Sequence, residues 1–130
     1  MARSVAGICV REGAVFVARR GSSGSCEGLW EFPGGKVETG ESDETAIIRE
    51  FDEEFGIEAR PLRLLGETRF SHGGIERTLA AWLIELPSVE GFELREHSES
   101  AWIAIDRLDG LQMVESDRKL ADIIRGRMSS

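Results

Sequence analysis

The chain has 130 residues, 41% of them apolar and 31% charged, with a formal net charge of −8 at pH 7. Its length suits one domain with a proper hydrophobic core, and its composition is that of a folded protein, which excludes a disordered chain. No apolar run approaches the ~20 residues of a membrane span, and so acidic a balance argues against a nucleic-acid polymer as partner, because backbone binding rests on a basic surface. A small phosphorylated substrate stays open, but it would need metal ions between it and an acidic site. The N-terminal run MARSVAGICV is too short for the apolar core of a signal peptide, so the expectation is a cytoplasmic protein with one domain over residues 1–130.

In chain order, Ser4–Val10 (SVAGICV) and Ala14–Arg20 (AVFVARR) read as strands around a turn at Gly13. Cys9 alternates into the first as a small buried residue. Gly21–Gly28 (GSSGSCEG) is a polar loop carrying Cys26. Neither cysteine has CxxC spacing or a histidine cluster, which disfavours zinc and redox roles. Asp43–Phe55 has helical period, with Ala46, Ile47 and Phe51 on one stripe, Ser42 as N-cap, Asp43 and Glu44 at the positive end, and Gly56 as the stop. Leu62–Phe70 and Ile75–Leu86 read as strands around Ser71-His72-Gly73-Gly74, and Ser100–Ile105 as another. Glu115–Met128 reads as a closing helix capped by Ser116 or Asp117. Strands around one helix, with a second helix at the end, give an α+β architecture in which a mixed β-sheet packs between helices.

The stretch from Glu31 to Ile57, EFPGGKVETGESDETAIIREFDEEFGI, crowds carboxylates behind a Gly34-Gly35 turn. On a helix Glu50 and Glu54 are one turn apart and Glu53 lies three after Glu50, so three acids converge beside Arg49. Like charges on one face repel and gain nothing alone. A hard divalent cation such as Mg²⁺ takes a few carboxylates together with substrate phosphates and water, and these residues supply that set. Glycines at the turn would let backbone approach the same ions.

The spacing is specific. Gly35 is followed by five residues, Glu41, seven residues, Arg49-Glu50, Phe51, Asp52, Glu53-Glu54, Phe55, Gly56 and Ile57. This resembles the box of the Nudix hydrolases, G-x5-E-x7-R-E-U-x-E-E-x-G-U with U apolar. The chain's own residue frequencies give on the order of one accidental match in 100,000, which leaves little to an ordinary solvated helix face. GLWEFPGGKVE and the preceding ARR are similar to the MutT branch, whose members cleave nucleoside triphosphates.

By that resemblance the fold would be a Nudix-type α/β/α sandwich. On the same ground Gly34 would offer a carbonyl, and Glu50, Glu53, Glu54 and Glu96 would hold Mg²⁺, with Mn²⁺ able to substitute. Glu53, Glu54 or Glu96 would take the proton from the attacking water. Arg49 and Glu41 would brace loop and helix, and Gly35, Glu41 and Gly56 would be structural positions of the box. Arg20, Phe70 and Asp117 would contact the substrate, Asp117 favouring a base edge that presents donors. Each has a plainer alternative: Glu96 as a solvated acid between Glu93 and Glu99, Asp117 as a helix cap, Arg20 as a strand-end charge, Phe70 as pocket wall. His72 and His97 read as lone surface histidines. The activity implied by the resemblance is Mg²⁺-dependent hydrolysis of a nucleoside triphosphate to monophosphate and pyrophosphate. A DNA-repair role against oxidised nucleotides such as 8-oxo-dGTP follows by analogy. The alternatives are a Nudix substrate of another nucleoside diphosphate-linked kind, or a silent nucleotide-binding domain. The partner expected is a small nucleotide, with neither nucleic-acid polymer nor membrane, and the protein a monomer or homodimer.

Overall fold

The computed structural model describes residues 2–21, 28–88 and 90–128. Eight strands and two helices follow one another as β1 (Arg3–Ile8), β2 (Val10–Arg11), β3 (Ala14–Arg20), β4 (Trp30–Glu31), β5 (Gly34–Lys36), α1 (Asp43–Phe55), β6 (Arg60–His72), β7 (Ile75–Glu85), β8 (His97–Ala104) and α2 (Glu115–Met128), with a 3₁₀ turn over Ile105–Gly110 before α2. The first sheet has the order β5-β1-β7-β6 and is mixed, with β1 parallel to β7 and antiparallel to β5. In the second sheet β3 pairs antiparallel with β2, β4 and β8. The α+β sandwich expected from the sequence is present, its strands divided between two sheets.

Alternation along the strands builds two cores. Val5 of β1 and Phe16 and Ala18 of β3 join Ala46, Ile47, Phe51 and Phe55 of α1. Their neighbours Ala6, Ile8, Val15 and Val17 face the other way, to Leu120, Ala121 and Ile124 of α2. Strands between two helices follow from this period of two. Phe51 and Phe55 are each 1% exposed, and burying such a ring contributes roughly 1.5–3 kcal/mol.

The start of α1 is fixed by Ser42, whose Oγ accepts from the Thr45 N–H at 3.1 Å. Arg3 on β1 grips Asp43 in the first turn with two hydrogen bonds of 2.8 and 2.7 Å, and Trp82 Nε1 donates to the same carboxylate at 3.0 Å. Gly56 ends the helix in the left-handed conformation, φ 64°, where a side chain is disfavoured.

Three details differ from the sequence expectation. Gly34-Gly35 is not a turn but the start of β5, paired through Gly34↔Ala6 and Gly35↔Val5. Three residues with two glycines show no strand period. Ser116 and Asp117 do not precede α2 but lie within its first turn. The 3₁₀ turn was not legible either. Cys9 is buried as expected, and burial pushes its thiol up. Cys26 lies outside the described residues. Among those described, no helix is long and apolar enough to cross a membrane.

Candidate active site

One side of α1 is organised by Arg49. Its Nε and Nη2 donate to the two oxygens of Glu41 at 2.8 and 2.9 Å, its Nη1 to Glu50 Oε1 at 2.8 Å, and Nη2 also to the Lys36 carbonyl at 2.9 Å. A planar guanidinium suits this fork, which ties the loop before α1 to the helix and to β5. The Arg49 bonds, with the Glu38 N–H behind them, hold the Glu41 carboxyl down at about 2. Gly35 leaves the space that Glu50 occupies: a Cβ there would stand 2.4 Å from Glu50 Cδ.

Beyond this brace opens a cavity of about 540 Å³. Of the residues singled out in the sequence it brings together Arg20, Gly34, Glu50, Glu54 and Glu96, and it adds Glu31 and His97. Glu54 is 4% exposed, and its Oε2 has no hydrogen-bond partner among the described residues. Burial first, then the neighbouring Glu50 and the charges of Glu31 and Glu96, push its carboxyl up to about 10. Glu96 is exposed at the rim. Glu53 is half-exposed beside this cavity, its carboxylate 3.5 Å from Arg49 Nη1, to which Glu50 also bonds.

A second cavity of about 360 Å³ shares Arg20, Glu31 and Gly34 with the first and is walled by Phe70, Arg77, Leu79 and Asp117. Asp117 is 7% exposed. Its Oδ2 accepts the Phe32 N–H at 2.8 Å and its Oδ1 the Ser116 hydroxyl at 3.1 Å. The cap alternative is thereby corrected, because Asp117 bonds across the fold to the β4–β5 connection. Burial, then the charge of Glu31, raises its carboxyl to about 7 against the opposing Phe32 and Ser116 bonds. His72 is exposed in this wall.

Residues 1–122 match the NUDIX domain. The chain belongs to the Nudix family of hydrolases, in its MutT-like branch. It is 38% identical over 108 residues to the CTP pyrophosphohydrolase of Escherichia coli, covering 78% of this chain and 75% of that protein. It is 38% identical over 77 residues to the 8-oxo-dGTP diphosphatase of Proteus vulgaris, covering 59% of this chain and 69% of that one. The crystal structure of the MutT protein from Methanosarcina mazei superposes with a TM-score of 0.86 at 25% identity, over 98% of this chain and 95% of that one.

Two residues of this Nudix site escaped the sequence. Glu31 stands at the head of the acidic stretch, where no spacing gave it a role. His97, expected at the surface, is instead 8% exposed. Its Nε2 shares a 2.7 Å hydrogen bond with Glu31 Oε2 and lies 3.6 Å from Glu54 Oε1. The correction has a physical reason: β3 holds β4 and β8 alongside, through Ala18↔Glu31 and Arg20↔His97, and Phe55 covers the imidazole.

The residues present fit a divalent cation. Glu54, one of whose buried oxygens has no hydrogen-bond partner among the described residues, lines one cavity with Gly34, Glu50 and Glu96. A buried carboxylate oxygen without a partner is costly, and a hard cation with a taste for oxygen relieves that cost.

Proposed function

We propose that this Nudix hydrolase is a Mg²⁺-dependent nucleoside triphosphate pyrophosphohydrolase, converting a triphosphate and water to monophosphate and pyrophosphate. One observation carries the proposal: an acid-lined cavity with Glu50, Glu54 and Glu96 adjoins a second with Phe70 and Asp117, and Arg20 stands in both. On this reading the triphosphate lies in the first and the nucleoside in the second.

Glu50, Glu54, Glu96 and the Gly34 carbonyl would hold the metal, with Glu53 flanking them. Mg²⁺ there supplies charge neutralisation for the phosphates and a lowered pKa for the attacking water. Arg49 keeps Glu50 aimed inward, and Arg20 offers a cation to the phosphate chain. Among the acids expected to accept the water's proton, exposure and position favour Glu96. Glu96 and Glu54 both line the cavity, but Glu96 is exposed at its rim while Glu54 is buried, and Glu53 is engaged with Arg49. Phe70 walls the base pocket, where a flat apolar face suits stacking. The names of the relatives direct attention to CTP and 8-oxo-dGTP, and to clearance of damaged nucleotides.

The test is pyrophosphate release from the common nucleoside triphosphates, 8-oxo-dGTP and 5-methyl-dCTP, with and without Mg²⁺. Cleavage of at least one by the wild type, lost with EDTA, is expected. Glu96→Gln should lower kcat by roughly 100-fold or more, in the range of a lost general base. No cleavage of any of them would remove the proposal.

A further inference from the structure

His97 has no part in the steps above, yet its surroundings are those of a working residue. Its ring lies parallel to that of Phe55, with 5.3 Å between centroids and 8° between planes. The stack leaves Nε2 pointing at Glu31 Oε2, 2.7 Å away. The other oxygen of Glu31, Oε1, accepts from Arg20 Nη1 at 2.9 Å. Three side chains thus run in sequence from the last turn of α1 to a guanidinium that stands in both cavities. Without the bond from His97 Nε2, Glu31 would keep only one of these two anchors and could turn, and Arg20 would lose a fixed partner.

We propose that His97 is a positioning residue for substrate: held flat on Phe55, it fixes Glu31, and Glu31 fixes Arg20 where the phosphate chain lies. One rigid element, α1, then sets both halves of the site, the acids directly and the arginine through His97. The inference rests on the nucleotide reading above. His97 as a metal ligand is the competing role, and the geometry is against it. Nε2, the nitrogen that approaches Glu54, is already engaged by Glu31, and Nδ1 is buried away from the open cavity.

The experiment is a double-mutant cycle on binding of the uncleavable α,β-methylene analogues of dGTP and dCTP, with Mg²⁺, by titration calorimetry. His97→Leu should raise Kd roughly tenfold in the wild-type background, the scale of a lost hydrogen bond to a charged group. In a Glu31→Ala background it should raise Kd by less than about twofold, because the relay is already cut. His97→Gln, whose amide nitrogen reaches the Nε2 position, should bind like wild type, and His97→Asn, which cannot reach, should not. With cleavable triphosphate the loss should fall on KM more than on kcat. Should the leucine variant fail to fold, the glutamine and asparagine pair decides. Equal losses in both backgrounds would overturn the proposal, as would equal binding by His97→Gln and His97→Asn. A nitrogen coupling to bound Mn²⁺ that disappears in His97→Gln would also overturn it by making His97 a ligand. Binding needs no turnover, so a wild type that releases no pyrophosphate would sink the hydrolase reading while the cycle still reports on His97.

Discussion

Gly35 and Glu50 share a space that holds only one side chain. A Cβ on Gly35 would stand 2.4 Å from Glu50 Cδ, and Arg49 Nη1 holds that carboxylate in place at 2.8 Å. Gly34 is crowded differently: its Cβ would fall 1.9 Å from the backbone oxygen of Val5 in β1. A carboxylate at the end of a flexible chain can move aside, but a strand's backbone cannot without breaking its pairing. Gly35→Ala should therefore leave a folded protein, a few degrees less stable, whose kcat falls roughly 100-fold, as expected for a misplaced group at the reacting centre. Gly34→Ala should lower Tm by at least twice as much. Melting curves and Mg²⁺-dependent turnover of the two variants check this, and the opposite order of Tm losses would refute it.

Glu54 offers a prediction in which proton and metal compete. In the metal-free protein burial and its acidic neighbours raise its carboxyl from the ordinary 4.5 to about 10, so the folded protein carries this proton at neutral pH. A cation binding the carboxylate must expel it. Calorimetric titration with Mg²⁺ at pH 7.5, in buffers of different ionisation enthalpy, should show about one proton released per ion, and Glu54→Gln should release none. The folded state holds the proton longer than the unfolded chain, so this group's contribution to stability is complete below pH 4.5 and is lost as pH rises toward about 10. Metal-free Glu54→Gln should accordingly match wild type at pH 4 and melt several degrees higher at pH 9. With millimolar Mg²⁺ the wild type should gain Tm and the variant should not. A wild type whose melting ignores both pH and Mg²⁺ would refute the assignment.

How much of the fold and site was legible in the sequence depended on the distance along the chain over which each feature is decided. The bounds of α1 are local: Ser42, the apolar stripe and Gly56 all lie within a few residues of the helix, and the structure has it from Asp43 to Phe55 as read. The acids of the box were legible for the same reason, since helical spacing alone puts Glu50 and Glu54 together. The same spacing puts Glu53 beside them, with its carboxylate 3.5 Å from Arg49 Nη1, the atom that Glu50 bonds. Glu31 and His97 are 66 residues apart, and their bond exists because two strands flank β3. Nothing periodic in either neighbourhood reports that pairing. β4 and β5, at two and three residues, are too short to show alternation.

Asp117 joins stability, pH and specificity at one carboxylate. It accepts from the Phe32 N–H and the Ser116 hydroxyl, and burial with the nearby charge of Glu31 lifts it from the ordinary 3.8 to about 7. Between those values the folded state binds the proton and the unfolded chain does not, so stability falls as pH rises through the window and levels off above it. Asn in its place can still accept from Phe32 while its amide donates to Ser116, and it carries no charge to bury. Asp117→Asn should thus melt with wild type near pH 4 and above it at pH 8. Asp117→Leu leaves the Phe32 N–H without a partner, which costs about 1–3 kcal/mol at every pH. The two variants also test whether this carboxylate reads a base. An ionised carboxylate only accepts, whereas an amide both donates and accepts. If Asp117 reads donors on a base edge, Asp117→Asn should lower kcat/KM for the preferred nucleotide by roughly 10- to 100-fold, the scale of a lost bidentate contact, and change poor substrates much less. The measurement is kcat/KM for the four deoxynucleoside triphosphates, 8-oxo-dGTP and 5-methyl-dCTP on wild type and Asp117→Asn. A uniform change across all of them, in a variant that is more stable at pH 8, would assign Asp117 to holding the β4–β5 connection and to nothing in the choice of base.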